Sequence, residues 1–409
     1  FNSSCTFAVS QVQAWREEAG LAPISSDSAA YINARKRLPV EFITATSQHV
    51  TGKMNRRVRE NDRYMGLPVF SVDGSSVQLM DTPANQASYP QPTNQKKNCG
   101  FPVMKVLGIL NHSSGAWEHH VTAHPDEHDA KTMKKVIGFF TEPCLLLADR
   151  AFCSYEIILR LKEKKVESIM KLHQMRAKGF TLRKGKRIGK NQRLVTWIKP
   201  KKKPKHSELS DAEWEALEDE MQMRMIVNEY VDRNGEKKRM ILCTTLLDAE
   251  KYDATDITNL YGARWDIELR LRDVKTTMGM EALEVKTPEM ARKALAMALL
   301  GFNLVKGITQ EAAQQEGVDK DLISFKGVLD WVNSSQTLFK EMSKKAHKHY
   351  VKRYENFLQI AASKLMNIRP YRWEPRAIKK RPKPFPLLHE SRAKLREDRE
   401  NGKLIPALS

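Results

Sequence analysis

The sequence predicts an α/β fold: a mixed β-sheet core packed with helices, interrupted by a β-rich insertion and flanked by helical regions at both ends. Three observations predict it. Between Leu67 and Lys165, short apolar runs bounded by turn formers give way to helical periodicity. A long basic stretch with strand-like alternation follows, and from Asp256 the spacing becomes helical.

Residues 1–66 read as an N-terminal helical region that binds DNA or links to it. "SQVQAWREEAGL" is a short helix stopped by Gly20, and "VTGKMNRRVRENDRY" is basic and polar. The first residue is Phe1, not Met, which leaves room for an upstream piece that could hold a DNA-reading domain. "LPVFSVDGSSVQL" has a strand signature broken at Asp73-Gly74. "FPVMKVLGIL" and "AWEHHVTA" are two further strands joined by the turn "NHSSG". "DEHDAKTMKKVIGFF" is a helix with acids first and lysines later, which suits the helix dipole. "EPCLLLAD" is a buried fourth strand ending at Asp149, and "SYEIILRLKEKK" is a second helix.

The insertion is expected over residues 166–250. "ESIMKLH", "TLRK", "QRLVTWIK", "MQMRMIVNEYV" and "KKRMILCTTLL" read as strands, "SDAEWEALEDE" as a short helix or loop, and "DRNG" as a tight turn. Arg160 to Lys205 contains eighteen Lys or Arg and two Glu. The core resumes over 251–310. A helical C-terminal region, 311–409, ends in the Pro- and Arg-rich arm "NIRPYRWEPRAIKKRPKPFPLLHE". The order strand–strand–strand–helix–strand–helix–insertion–helix suits a ribonuclease-H-like core, with its first part at 67–165 and its first and fourth strands adjacent.

Composition narrows the function. The 409 residues carry a formal charge of +20, which calls for a polyanion, nucleic acid before membrane. No run is long or apolar enough to span a bilayer as a helix. Five scattered cysteines, without a C-x2-C pair, argue against a disulfide scaffold or a cysteine-rich zinc site and fit a reducing interior.

The densest chemistry lies in "YGARWDIELRLRDVK". On a regular helix Tyr261, Arg264, Glu268 and Lys275 project at about 0°, 300°, 340° and 320°, one narrow polar sector. Asp73 and Asp149, on neighbouring strands, would share ions with Glu268. Hard oxygen ligands select Mg²⁺ or Mn²⁺, and two such ions in one site suit phosphodiester chemistry. Each acid has a plain alternative: a turn at Asp73, a helix cap at Asp149, a surface ion pair at Arg264–Glu268. Trp265 is placed to stack on a base, and Trp197 is a weaker second candidate. Lys201, Lys202 and Lys203 suit gripping a DNA backbone, as do Arg372, Arg376, Lys380 and Arg381 in the arm. His112, His119, His120, His124 and His128 crowd one region and read as surface or DNA-facing rather than as a metal site.

Those residues resemble the bacterial DDE transposases of the insertion-sequence-4 family. "Y GA R WDI E LRLRDV K" matches the family's Y-x2-R-x3-E-x6-K signature at every interval. "VDGSS" resembles the first-aspartate segment, and "LLLADRAFCSYE", with Arg150 beside Asp149, the second. The resemblance covers roughly residues 67–390. It implies a metal-dependent DNA transposase using Asp73, Asp149 and Glu268 with two Mg²⁺ or Mn²⁺ ions, cutting transposon ends through a hairpin in several relatives and joining the 3′-hydroxyl to target DNA. It further implies double-stranded DNA as partner, a homodimer pairing two ends, and a bacterial, nucleoid-associated cytoplasmic setting. A catalytically inactive DNA-binding derivative and a nuclease without strand transfer are the alternatives.

Overall fold

The computed structural model describes residues 4–205, 207, 209–231, 235–335, 347–366, 385 and 387–403. The chain divides into two compact units. One comprises Phe1–Lys53, Val77–Met104 and Arg272–Ser409, the other Met54–Ser76 and Lys105–Leu271.

The second unit holds the sheet. Its strands are β1 (Val69–Leu79), β2 (Val103–Asn111), β3 (Ala116–Ala123), β4 (Cys144–Ala148), β5 (Val166–Lys171), β6 (Lys186–Gly189), β7 (Gln192–Ile198), β8 (Glu220–Val231) and β9 (Lys237–Thr244), with the ends of β1 and β2 running into the first unit. They lie in the order β3-β2-β1-β4-β5-β9-β8-β7-β6. β1, β4 and β5 are parallel, and β2–β3 and β5 through β9 to β6 are antiparallel. A purely apolar β4, "CLLLA", is what a strand buried on both faces requires. The first and fourth strands are therefore neighbours, as the element order predicts.

β1 runs unbroken through Asp73-Gly74, where a break was expected. A Cβ at Gly74 would meet Asp129 Oδ1 at 3.8 Å and Leu107 at 4.0 Å, ordinary van der Waals contact, so space on the strand does not demand a glycine there. β5, expected to open the insertion, pairs with β4 from Cys144↔Val166 to Ala148↔Met170 and belongs to the core sheet. The basic strands extend that sheet. "TLRK" lies in a turn rather than a strand, and "KRIG" supplies β6 instead.

In chain order the helices are α1 (Cys5–Glu18), α2 (Ala29–Arg37), α3 (Val40–Arg56), α4 (Pro83–Ser88), α5 (Asp129–Ile137), α6 (Tyr155–Glu163), α7 (Gln174–Lys178), α8 (Asp211–Glu215), α9 (Ala254–Gly262), α10 (Trp265–Arg272), α11 (Pro288–Glu316), α12 (Phe325–Ser334), α13 (His347–Ala362) and α14 (Arg392–Glu400). α5 and α6 carry Met133, Val136, Ile157, Ile158 and Leu161 onto one sheet face, against Val72, Leu146 and Ala148. α9 covers the other face, where Ile257 and Tyr261 pack with Val69, Leu145, Leu147 and Ile169.

In the first unit, α11 is long because its sequence starts and stops it. Thr287 caps it, Pro288 sits at the first helical position, and Gly317 ends it at φ 66°. Ala296 and Leu300 of α11 pack on Ile43 of α3. The short strand β10 (Ala282–Leu283) pairs parallel with Gln78 and Leu79 of β1.

Candidate active site

The middle of β1 and the end of β4 make the base of the site. β1 and β4 pair in parallel register from Val69↔Leu145 to Val72↔Ala148. Asp73 and Asp149 are the next residue on each chain, so they stand side by side, about 5 Å apart, with Asp73 still in β1 and Asp149 just past the end of β4. Asp73 Oδ1 accepts a hydrogen bond from the Gly74 backbone N–H at 2.8 Å. Asp149 begins the short 3-10 turn Arg150–Phe152, and no side-chain cap hydrogen bond forms there.

The motif segment is not one regular helix. α9 ends at Gly262, a turn follows at Ala263-Arg264, and α10 starts at Trp265. From Asp273 to Thr277 the backbone widens into a π-turn that contains Lys275. The single angular sector calculated for a straight helix therefore does not exist. Tyr261 turns into the core, where its hydroxyl donates to Ala148 O at 3.3 Å, directly behind Asp149. Burial raises the Tyr261 pKa, with Arg264 opposing the shift. Lys275 belongs to the other compact unit.

Arg264 takes the central position. Buried at 6% exposure, it places Nη2 3.1 Å from Glu268 Oε1 and Nη1 3.8 Å from Asp73 Oδ2. Burial works against its charge, but Tyr261, Asp149, Glu268 and Asp73 outweigh it and hold its pKa above the ordinary value. Burial also raises the Asp73 pKa. The Gly74 N–H and Arg264 counter that rise, and the charges of Glu268 and Asp149 reinforce it. The three acids thus share one electrostatic neighbourhood. Arg264 Nε is buried and has no hydrogen-bond partner among the described residues.

Among the described residues, no three His, Cys, Asp or Glu side chains stand close enough together to hold a metal ion as they are placed. The donor chemistry nevertheless suits Mg²⁺ or Mn²⁺: Asp73, Asp149 and Glu268 are all hard oxygen donors. A guanidinium now answers part of their charge.

The remaining candidates divide. Trp265 is 60% exposed, with the Arg264 guanidinium 5.2 Å from its ring centre. Arg150, Lys201 and Lys202 are exposed. Lys203 is bound within its own loop, 2.5 Å from Asp211 and 2.9 Å from Leu209 O. Trp197 is a correction: it is buried in the core with Arg176 4.2 Å over its ring, so it offers no open face to a base. Alternation along β7 sends it inward. Arg372, Arg376, Lys380 and Arg381 lie outside the described residues.

The histidines divide: His112, His119 and His120 depart from the expected surface role, and His124 and His128 keep it. His119 and His120 are half-buried on β3, and His119 stacks on Phe139 at 5.3 Å. His124 and His128 are exposed and accept hydrogen bonds from the Asp126 and Ala130 backbone N–H groups, shaping the approach to α5. His112 lies against the site. Its Nε2 is 2.5 Å from Ser71 Oγ, and its Nδ1 is 3.9 Å from Asp266 Oδ2. Nothing in the spacing of Ser71, His112 and Asp266 announces that contact.

The order β3-β2-β1-β4-β5, with Asp73 in β1 next in register to Asp149 beyond β4, defines a ribonuclease-H-like core with insertions. Residues 64–304, more than half of the chain, match the family described as the transposase DDE domain. The chain belongs to that family, and its kinship is with transposases of the insertion-sequence-4 type. It is 26% identical over 286 residues to the transposase InsG for insertion sequence element IS4 of Escherichia coli K12, a match spanning 68% of this chain and 60% of that relative. It thus spans less than two-thirds of that relative's length. It is 33% identical over 70 residues to the putative transposase InsL for insertion sequence element IS186A of Escherichia coli K12, covering 17% of this chain and 19% of that protein. A solved piggyBac transposase synaptic complex with hairpin DNA aligns at TM-score 0.39 and 11% identity, covering 74% of this chain and 58% of that one. Among the described residues, no helix is long and apolar enough to cross a membrane.

Proposed function

We propose that this chain cuts DNA at transposon ends and joins the freed 3′-hydroxyl to target DNA, using Asp73, Asp149 and Glu268 to hold two Mg²⁺ or Mn²⁺ ions. One observation carries the reading: Asp73, within β1, and Asp149, just past the end of the parallel neighbour β4, follow the last register pair Val72↔Ala148, and Arg264 ties Glu268 to Asp73. When bound, the ions supply Lewis-acid stabilisation of the attacking and leaving oxygens.

The chain's own residues do the rest. The Arg264 Nε–H, buried and without an acceptor, suits a phosphate oxygen. Arg150, Lys201 and Lys202 offer exposed charge to a DNA backbone. Lys275 adds a cation from the same motif, and Tyr261 steadies the end of β4 through Ala148 O. The exposed Trp265 ring is a stacking surface for an unpaired base, which supports a hairpin intermediate. The excess of 69 Lys and Arg over 49 Asp and Glu suits a double-stranded DNA partner. A homodimer pairing two ends in the bacterial cytoplasm, at the nucleoid, completes the reading.

The test is labelled transposon-end DNA incubated with Mg²⁺ and either the intact chain or Asp149→Ala. Cleavage and strand transfer by the intact chain, with binding alone by the variant, is the expected result. Cleavage without joining would make it a nuclease. Binding without cleavage by the intact chain, under several ions and end sequences, would leave a catalytically inactive DNA-binding derivative.

A further inference from the structure

A second link between the strand and the helix of the site runs through residues that the carboxylate reading does not use. Ser71 lies on β1 two residues before Asp73, on the same strand face, and is fully buried. Asp266 lies on α10 two residues before Glu268. His112 stands between them, 2.5 Å from Ser71 Oγ through Nε2 and 3.9 Å from Asp266 Oδ2 through Nδ1.

The imidazole is held from behind. His112 donates its backbone N–H to Val69 O at 2.8 Å. Asn111 Oδ1 accepts from Ser113 N at 2.9 Å and Ser114 N at 3.3 Å, and Gly115 closes the turn at φ 75°. Gly115 N donates to Asn111 O at 2.7 Å. The turn that presents His112 is therefore fixed by its own hydrogen bonds, and the ring is only 12% exposed. A rigid donor–acceptor group between two ligand-bearing elements is how metal sites hold their ligands in place.

We propose that Ser71, His112 and Asp266 form a positioning chain that sets the distance between Asp73 on β1 and Glu268 on α10, with His112 as its central positioning residue. It rests on the reading that those acids hold divalent ions. The Ser71 hydroxyl donates to Nε2, and Nδ1–H faces the Asp266 carboxylate. This link works beside Arg264 but differs in kind, because Arg264 touches the acids themselves.

The test is Mn²⁺ binding by titration calorimetry, with urea unfolding of the same samples. The intact chain should bind Mn²⁺, and Asp149→Ala should lose most of that binding. His112→Ala should bind about 10–100-fold more weakly while the urea curve shows it still folded under the titration conditions. His112→Gln, whose amide can accept from Ser71 and donate toward Asp266, should recover part of the loss. Should His112→Ala prove unstable, Asp266→Asn, at a 44% exposed side chain, carries the same expectation. Folded His112→Ala or Asp266→Asn binding Mn²⁺ as tightly as the intact chain overturns the positioning chain while leaving the metal site standing. No Mn²⁺ binding by the intact chain overturns the metal site, and the positioning chain falls with it.

Discussion

Arg264 and Glu268 are joined by a 3.1 Å hydrogen bond, although Arg264 lies in the turn before the helix that carries Glu268. The same guanidinium reaches Asp73 at 3.8 Å, so one side chain spans the turn, the helix and the first strand. A planar fork can serve two carboxylates at once, and an ammonium at the end of a flexible stem cannot hold the same geometry. Arg264→Met is expected to cost about 1.5–3 kcal/mol of stability, the range for a lost hydrogen bond to a charged group. Arg264→Lys should restore part of the stability and little of the DNA cleavage. Urea unfolding and an end-cleavage assay check both, and a stable, active Arg264→Met protein would remove Arg264 from the centre of the site.

Trp265 is a different kind of residue, because the fold makes little use of its ring. At 60% exposure, its truncation to alanine should change stability by no more than about 0.5 kcal/mol. Stacking of a base on the open ring is worth about 1–3 kcal/mol. Trp265→Ala should therefore weaken binding of a hairpin oligonucleotide with an unpaired base, measured by fluorescence anisotropy, while leaving binding of a plain duplex nearly unchanged. Equal losses on both DNAs would count against base stacking.

α5 and α6 are joined by a buried ion pair, Lys134 Nζ to Glu156 Oε1 at 2.8 Å, with side chains 2% and 3% exposed. Arg160 approaches the same carboxylate at 3.8 Å. Removing one partner strands a charge in the core, so Lys134→Met or Glu156→Leu alone should cost about 3–5 kcal/mol. The double variant should regain most of that, because a well-packed apolar pair needs no desolvation. Chemical denaturation of all four proteins measures the coupling, and strictly additive losses would show that the pair does not act as a unit.

Burial, with His119 beside it, holds the His120 pKa down to about 4. A histidine whose folded pKa is depressed is neutral in the native state and takes up a proton on unfolding. Its contribution is present above the unfolded value of about 6.5 and is lost as pH falls toward 4. The urea midpoint should therefore decline across that window, and His120→Gln should flatten the decline. His119, lowered in the same sense by burial, retains its part. A His120→Gln protein with an unaltered slope would show that His120 titrates normally.

The sequence by itself determined the elements and their order. Periodicity located β3 and β4 to within a residue or two, because an alternating run and a short apolar run between turn formers have few other solutions. Caps located α11. The signature spacing singled out Glu268 as a candidate, and Asp73 was legible within a strand and Asp149 at a strand end, as β1 and β4 place them. Other features were set only by tertiary structure. No local pattern distinguishes a separate inserted sheet from strands that extend the core sheet, since both alternate alike; the pairing of β5 with β4 and β9 decides it. Helical geometry could not foresee the turn at Ala263-Arg264 or the π-turn around Lys275, because burial of Tyr261 and the ionic contacts of Arg264 accompany a broken segment rather than a straight one. Trp197 faces the core because β8 and β6 fix the register of its strand. Ser71, His112 and Asp266 are far apart or unremarkable in the chain and meet only when the β2–β3 turn folds against β1 and α10.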